Sequence, residues 1–375
     1  MTFLGYAHQG LLQPILPLYL KSLGGSELLI GFALAAFSAT SFTLRPMVGF
    51  LTDEWRVAGV LALGVLVLGV GGLALLVPWI WLVFVSNAFR GIGWAALNTA
   101  GGTLLAHIAP PTRRAEAAGY LNMFQSAAQA VSSPLALWIV GLGAANFNPV
   151  FLLAAISGIG GAVLGRGMRE PVQAPARGLA LPDARRFASM FDRDVLLPFA
   201  LQACLLLSFP ALTSFVALYV ERIGLTPASA AWYFLANGLT AVLIRFILGR
   251  AVDRFNRGLT SAVGFVIISI SIVQLALVSS EVQLVASAVV YAIGYAICSS
   301  GLTAMAIDMA NPLRRGAAMA TYSMANQLGA GLGAAIAGAV IEAAGYRTMY
   351  FAALLPGVVA LAGLWLARRR LSTSS

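Results

Sequence analysis

Long apolar runs separated by short polar breaks repeat along the whole chain. Each run has about 20 residues, which as an α-helix is long enough to cross a bilayer core of roughly 30 Å. The pattern predicts twelve spans, at residues 2–20, 27–47, 57–77, 79–106, 117–141, 148–165, 195–220, 228–248, 258–279, 282–308, 316–343 and 347–367. The chain is therefore predicted to be an all-α membrane protein with twelve transmembrane helices.

One long polar interruption, residues 166–194, lies at the middle of the chain. It contains six arginines and three prolines and has no long apolar run, which is typical of a linker. The sequence therefore predicts an N-terminal six-helix bundle at 1–165, a linker at 166–194 and a C-terminal six-helix bundle at 195–375.

A short charged segment, Gly49-Phe50-Leu51-Thr52-Asp53-Glu54-Trp55-Arg56, recurs 200 positions later as Gly249-Arg250-Ala251-Val252-Asp253-Arg254-Phe255-Asn256-Arg257. Leu18-Tyr19 and Gly24 also recur at this offset, as Leu218-Tyr219 and Gly224. An offset of this kind indicates an internal repeat. Six spans separate the copies, so both halves have the same orientation. Such a parallel repeat is typical of transporters whose halves rock about a central site.

Composition and charge placement support a membrane location. Apolar residues make up 60% of the chain and charged residues only 10%, against about 25% in a soluble domain. Of the 23 basic residues, 19 lie in the loops after the even-numbered spans or in the tail, counting Arg45 and Arg245 at the span ends, and basic short loops stay cytoplasmic. We therefore expect a plasma-membrane protein, in bacteria an inner-membrane one, with both termini and the linker cytoplasmic. Anionic lipid headgroups explain the net charge of +10 better than nucleic acid does.

Polar residues inside the spans indicate a central cavity, because they are costly at membrane depth unless they face a bundle interior or water. Span 4 carries Asn87, Arg90, Trp94 and Asn98 on one helical face. The predicted substrate-contacting residues are Arg90, Trp94, Asn98, Gln13, Gln125, Tyr295 and Asn326. For Arg90 the alternatives are binding an anionic group and a structural role, and Trp94 and Tyr295 could equally be packing residues.

Ionisable and nucleophilic residues are sparse. The candidates for proton coupling are His8 and Asp308, although a lone histidine in a span is more often a structural hydrogen-bonding residue. The alternative is a transporter that is not driven by protons. Cys204 and Cys298 lie in apolar runs and are expected to pack there. We expect no metal, no cofactor and no enzymatic activity, because neither histidine has an acid or a cysteine at helical spacing. The only lysine is Lys21, so this chain alone has no Walker-type ATP site.

The charged segment Gly49-x-Leu51-x-Asp53 and its copy Gly249…Asp253-Arg254 resemble the signature of the major facilitator superfamily. The resemblance covers nearly the whole chain and implies two six-helix bundles that work by alternating access. It also implies a cytoplasmic gate that includes Asp53. The alternative is that Asp53 is an ordinary solvent-exposed acid in a loop. The gate would comprise Gly49, Asp53, Arg113, Arg114, Gly249, Asp253, Arg254, Arg314 and Arg315. Glu54 stands where the family signature usually has a basic residue. Ser132-Ser133-Pro134 lacks the glycines of the antiporter signature, which departs from the pattern of proton-coupled drug exporters.

The resemblance predicts a secondary active transporter of a small organic solute that binds between the halves and is exported. The alternatives are a facilitative uniporter or importer and a non-transporting receptor or assembly factor. Expected partners are the solute, the lipid bilayer and, as a candidate, protons. We expect no nucleic acid partner and a monomer.

Overall fold

The structure, a computed structural model, describes residues 1–110, 113–142, 146–167, 192–248, 256–311 and 315–371. Every regular element in these ranges is an α-helix. Eight helical stretches in the same ranges are long and apolar enough to cross a membrane.

Seven helices form the first half. They are α1 (Thr2–Leu12), α2 (Ile15–Ser22), α3 (Glu27–Glu54), α4 (Val57–Ala74), α5 (Ile80–Ile108), α6 (Arg114–Leu142) and α7 (Asn148–Gly165). The predicted first span is divided into α1 and α2 at Pro14, which has no N–H to continue the helical hydrogen bonds. The second span is longer than predicted. Its helix continues through Asp53 to Glu54, with the Trp55 N–H donating to the Leu51 carbonyl at 2.9 Å.

Eight helices form the second half. They are α8 (Leu196–Leu207), α9 (Phe209–Thr213), α10 (Val216–Arg222), α11 (Pro227–Leu248), α12 (Arg257–Ala276), α13 (Glu281–Met309), α14 (Arg315–Ala352) and α15 (Leu355–Leu371). The predicted seventh span is thus divided into α8, α9 and α10. The last two predicted spans meet inside α14 at Gly345, whose φ of 84° and ψ of 172° bend the chain sharply.

The chain forms two compact units. The first comprises Met1–Gly25 and Ala36–Ala184, and the second comprises Ser26–Ala35 and Arg185–Ser375. The beginning of α3 therefore belongs to the second unit. Most of the predicted linker lies outside the described ranges, so its boundaries remain a prediction.

The internal repeat is visible in the local structure of both units. Gly24 and Gly224 each end a helix with positive φ, 84° and 81°. Five residues before each glycine a buried tyrosine spans to another helix of its own unit. Tyr19 donates to the Leu75 carbonyl at 3.0 Å, and Tyr219 donates to the Ala276 carbonyl at 3.5 Å. The two halves therefore have the same glycine turn and the same tyrosine contact at matching positions.

Glycines bring neighbouring helices together in each unit. In the first, a Cβ on Gly93 of α5 would lie 2.5 Å from the Gly64 carbonyl oxygen of α4. In the second, a Cβ on Gly264 of α12 would lie 2.5 Å from the Cβ of Cys298 on α13. Small residues let membrane helices approach closely. Cys298 is fully buried at this contact and acts as a small packing residue.

Candidate functional site

A buried arginine lies at the centre of the first unit. Arg90, on α5, is only 1% exposed although its side chain is among the largest in the chain. The alkyl stem of Arg90 passes over Gly71 of α4, where an added Cβ would collide with Arg90 Cγ. The glycine therefore provides the space in which this side chain lies.

The Arg90 guanidinium is held by three hydrogen bonds. Nε donates to His8 Nε2 at 3.1 Å, Nη1 donates to Asn87 Oδ1 at 2.7 Å and Nη2 donates to Gln9 Oε1 at 2.9 Å. The Phe37 ring lies beside it, with Cζ 5.6 Å from the ring centroid. Among the described residues no carboxylate lies within ion-pair distance of Arg90. The positive charge is thus surrounded by neutral groups.

The hydrogen bonds of His8 define one tautomer. Nδ1 lies 2.9 Å from the Ala154 carbonyl oxygen of α7, which can only accept, so Nδ1 carries the hydrogen. Nε2 must then accept from Arg90, as its 3.1 Å contact shows. The ring is fully buried and lies against α4 at Gly72, where an added Cβ would be 3.2 Å from Cε1. His8 is therefore a neutral imidazole with both nitrogens occupied.

Three aromatic rings extend the site along α5. Trp94 lies one turn beyond Arg90, with its ring centroid 4.8 Å from that of Tyr6 and 6.1 Å from that of Phe37. The Tyr6 hydroxyl donates to Asn98 Oδ1 at 2.6 Å, and Asn98 Nδ2 donates to the Trp94 carbonyl at 2.9 Å. The structure thus brings together the predicted residues Arg90, Trp94 and Asn98 beside an aromatic cluster, Tyr6, Phe37 and Trp94.

A neutral polar cluster lies inside the second unit. Gln202 of α8 donates to Asn326 Oδ1 at 2.8 Å and accepts from the Tyr322 hydroxyl at 2.9 Å, both residues of α14. Thr303 of α13 lies 3.2 Å from the same hydroxyl. The predicted residue Asn326 is therefore part of a connected network. Tyr295, also predicted, has its ring centroid 6.2 Å from that of Phe209 and 5.8 Å from that of Tyr291.

Known proteins identify the family. The model of the Major Facilitator Superfamily matches residues 1–280 and 199–374. The chain belongs to the Major Facilitator Superfamily. An uncharacterised MFS-type transporter of Methanocaldococcus jannaschii is 23% identical over 370 residues, 96% of this chain and 94% of the relative. The multidrug resistance protein MdtH of Enterobacter sp. is 22% identical over 324 residues, 84% of this chain and 78% of the relative.

Solved structures of other transporters share the fold. A bacterial homologue of the human lysosomal transporter Spinster matches with a TM-score of 0.81 at 17% identity, covering all of this chain and 96% of the other. A POT family transporter in complex with 5-aminolevulinic acid also matches with a TM-score of 0.81, at 15% identity, covering all of this chain and 95% of the other.

These matches confirm the predicted family and the all-α membrane fold with two six-helix halves. The chain is a multi-pass membrane transporter for a small molecule and not an enzyme, because its family consists of transporters.

The remaining predicted residues of the transporter are spread over both units. Gln13 of α1 and Gln125 of α6 are half-buried, and their side chains form no hydrogen bond within the described part of the chain. Asp308 is at the exposed end of α13, with 52% of its side chain accessible, and pairs with Arg257 at 3.2 Å. Asp308 is therefore held by a surface ion pair, whereas His8 is enclosed by helices.

Most of the predicted gate cannot be placed. Gly249, Asp253, Arg254 and Arg314 lie outside the described residues, as do the side chains of Asp53, Arg114 and Arg315. Gly49 lies in α3 with open space around it, and Arg113 is exposed just before α6. The gate remains a prediction.

Several residues of the site escaped the sequence-based prediction. Tyr6, Phe37 and Gly71 look like ordinary packing residues in apolar runs, and only the helix contacts connect them to Arg90. Gln202 gave a detectable signal, because it is a single amide in a very apolar run and polar side chains there usually have a partner. No group of three metal-ligating side chains occurs in the described ranges.

Proposed function

We propose that this protein is a secondary active transporter that carries a small organic anion by alternating access, in the direction of export. The observation that supports an anion is Arg90, a buried cation with no carboxylate partner in the described structure. Burying a charge is costly unless it is paired, and charged residues inside membrane spans usually serve a function. An anionic ligand would supply the missing countercharge.

The guanidinium has room for such a ligand. It carries five N–H donors, and three hydrogen bonds to His8, Asn87 and Gln9 leave two of them for a ligand. Planar N–H pairs match the two oxygens of a carboxylate. Gln9 is half-buried, so the approach to Arg90 is most open on that side.

The aromatic cluster favours a solute with an apolar or aromatic body. Tyr6 and Trp94 are both half-buried, and Trp94 is on the same face of α5 as Arg90. Aromatic side chains bury large apolar surfaces and stack with rings. Together these groups suit an aromatic or amphipathic carboxylate better than a sugar or an inorganic ion.

Direction and location rest on weaker resemblances. Export is supported by the resemblance of the charged segments to efflux members and by the 22% identity to MdtH. The charge distribution supports a bacterial inner-membrane protein with both termini cytoplasmic. In this proposal Asp53 and Asp253, with the neighbouring arginines, form the cytoplasmic gate, and the transporter works as a monomer.

The substitution Arg90→Gln tests the anion site. It keeps hydrogen-bonding capacity but removes the charge, and a hydrogen bond to a charged group contributes about 1.5–3 kcal/mol. We therefore expect affinity for organic carboxylates to fall by about 10- to 150-fold. The measurement is a thermal-shift screen of purified protein against carboxylates, sugars, amino acids and lipophilic cations, since a ligand of the folded state raises its melting temperature. Each ligand found in the screen is then tested for transport into and out of proteoliposomes.

Arg166→Gln is the matched control, because Arg166 is exposed at the end of α7 in the same unit. That variant should keep wild-type affinity. Unchanged carboxylate binding in Arg90→Gln would assign Arg90 a structural role and remove the basis for an anionic solute. Ligand binding without any flux would favour a receptor, and flux only inward would favour an importer.

A further inference from the structure

One hydrogen bond connects the buried cation of the site to a buried imidazole. Arg90 Nε donates to His8 Nε2 at 3.1 Å, while His8 Nδ1 donates to the Ala154 carbonyl at 2.9 Å. A second proton could bind His8 only at Nε2, and Arg90 occupies the lone pair of that atom. While this hydrogen bond is in place, Arg90 therefore blocks protonation of His8.

Arg90 is also the charge that faces His8. Of the helices packed against α1, α4 and α7 contain no ionisable side chain. The ionisable residues of α6 lie in its first two turns, Arg114 to Tyr120, whereas α6 meets α1 around Gln129. On α2, Tyr19 bonds to the Leu75 carbonyl and Lys21 is exposed in the last turn. Tyr6 on α1 itself bonds to Asn98.

We propose that His8 binds a proton together with the anion that Arg90 holds, so that the transporter loads both at once. This inference rests on the proposed anion site. A carboxylate can pair with Arg90 through the free N–H of Nη2 together with Nε–H. It then replaces His8 at Nε and releases the lone pair of His8 Nε2. The same anion offsets the positive charge that opposes a second cation 3.1 Å away.

The proton and charge balance of this step is simple. The proton comes from the aqueous side to which the site is open and binds Nε2, while Nδ1–H stays on the Ala154 carbonyl. The new Nε2–H donates to the anion, which also accepts from Arg90, and no bond between heavy atoms forms or breaks. The empty site carries the single charge of Arg90. After uptake of one anion and one proton, its net charge is the same.

Two glycines of α4 hold the side chains of Arg90 and His8 in place. Gly71 gives room for the Arg90 stem, and Gly72 lies under the His8 ring. Gly71 and Gly72 are adjacent, so α4 aligns both groups at one level of the bundle. Their shared hydrogen bond is thus set by packing on three helices, α1, α4 and α5.

Joint loading has a consequence for direction. A carrier that binds anion and proton together moves both the same way, so the flux follows the sum of the two gradients. Export against an inward proton gradient then requires an anion that metabolism accumulates in the cell. The class of reaction that supplies it is one that releases a carboxylic acid as an end product.

The pH dependence of anion binding tests the proposal, with benzoate as the probe and uncharged benzamide as its counterpart. Benzoate stays ionised between about pH 6 and 8. In the wild type its affinity should rise by about tenfold for each unit of acidification while His8 takes up the proton. In His8→Gln, which can still accept from Arg90 but cannot take up a proton, affinity should be independent of pH. His8→Asn serves if the Gln variant fails to fold.

The matched control is His107→Gln, the other histidine of the chain, which is exposed at the end of α5. It should keep the wild-type pH profile. In this background ¹⁵N-labelled histidine reports on His8 alone. Its spectrum should show a neutral ring with hydrogen on Nδ1 in the free protein, and an imidazolium when benzoate is bound.

The possible failures are distinct. Benzoate binding with a flat pH profile and a neutral His8 overturns joint loading but leaves the anion site intact. Absence of benzoate binding at every pH overturns the carboxylate site, and joint loading with it.

Discussion

At the scale of single residues, the site depends on the small size and the hydrogen-bonding groups of the residues around Arg90 and His8. Arg90 can lie buried on α5 because residue 71 of α4 has no side chain. His8 is held in one tautomer because a backbone carbonyl lies at one nitrogen and a guanidinium N–H at the other. Asp308, by contrast, is exposed to solvent and paired with Arg257. Its carboxylate is therefore already stabilised and needs no bound substrate. His8 is therefore the better candidate for coupling.

Gly71→Ala tests the fit at this scale. The new Cβ would collide with Arg90 Cγ and lie 3.1 Å from Cδ. Overpacking of a well-packed site costs about 1–3 kcal/mol, so both the melting temperature and benzoate affinity should fall. Thermal unfolding and ligand titration measure the two effects. Gly59→Ala on the same helix, where the nearest atom would be 3.8 Å away, should resemble the wild type. Equal behaviour of the two variants would contradict the packing argument.

At the scale of helices, α3 begins with a shared cap. The Ser26 hydroxyl accepts from the Leu29 N–H at 3.3 Å, and the Glu342 carboxylate of α14 accepts from the Glu27 N–H at 3.0 Å. A carboxylate is favourable at a helix N-terminus because the free N–H groups carry partial positive charge. Four residues further, a Cβ on Gly31 would lie 2.5 Å from the Ala334 carbonyl. These contacts explain why residues 26–35 belong to the second unit.

Glu342→Gln tests this cap. The amide keeps an acceptor oxygen but loses the charge, so the free energy of unfolding should fall by less than about 1 kcal/mol, and the loss should shrink in high salt. Thermal unfolding at two salt concentrations measures it. Glu281→Gln is the comparison, because α13 is capped by Ser280 through the Gln283 N–H. A loss at Glu342 that is insensitive to salt would argue against the electrostatic part of the cap.

At the scale of the whole molecule, the two halves repeat their construction. Gly24 and Gly224 close matching turns, in which the Gly25 N–H donates to the Leu20 carbonyl and the Leu225 N–H to the Val220 carbonyl. This is a Schellman motif, which needs positive φ at the glycine. The matching turns belong to different units.

Gly24→Ala and Gly224→Ala should each cost about 1–2 kcal/mol, because residues with a Cβ are strained at positive φ. Within the described residues no atom lies within 4 Å of either new Cβ, so the strain is local and the double variant should lose the sum of the single losses. Thermal unfolding of the three variants measures this. Gly167→Ala, in open space without positive φ, should be neutral. A double variant that departs from the sum would indicate that the two turns are energetically coupled.

The sequence by itself determined the class of the protein, the positions of its spans, the repeat and the family. These follow from local properties, since hydrophobic run length, small residues and fixed offsets can be read along one chain. It also placed Arg90, Trp94 and Asn98 on one helical face, because the helical period is local too. It missed the breaks at Pro14 and within the seventh span, where short helices continue with little change in hydropathy.

Only the tertiary structure decided which residues surround the face of α5 that carries Arg90, Trp94 and Asn98. His8 and Arg90 are 82 positions apart, and Gln202 and Asn326 are 124 apart, so their contacts depend on how helices pack. Apolar runs specify that a helix is buried in the membrane but not which neighbour it meets or at what height. That choice is made by glycines such as Gly71 and by hydrogen bonds that must be satisfied away from water. For this reason the sequence could name the cation, and the structure was needed to find the histidine bound to it.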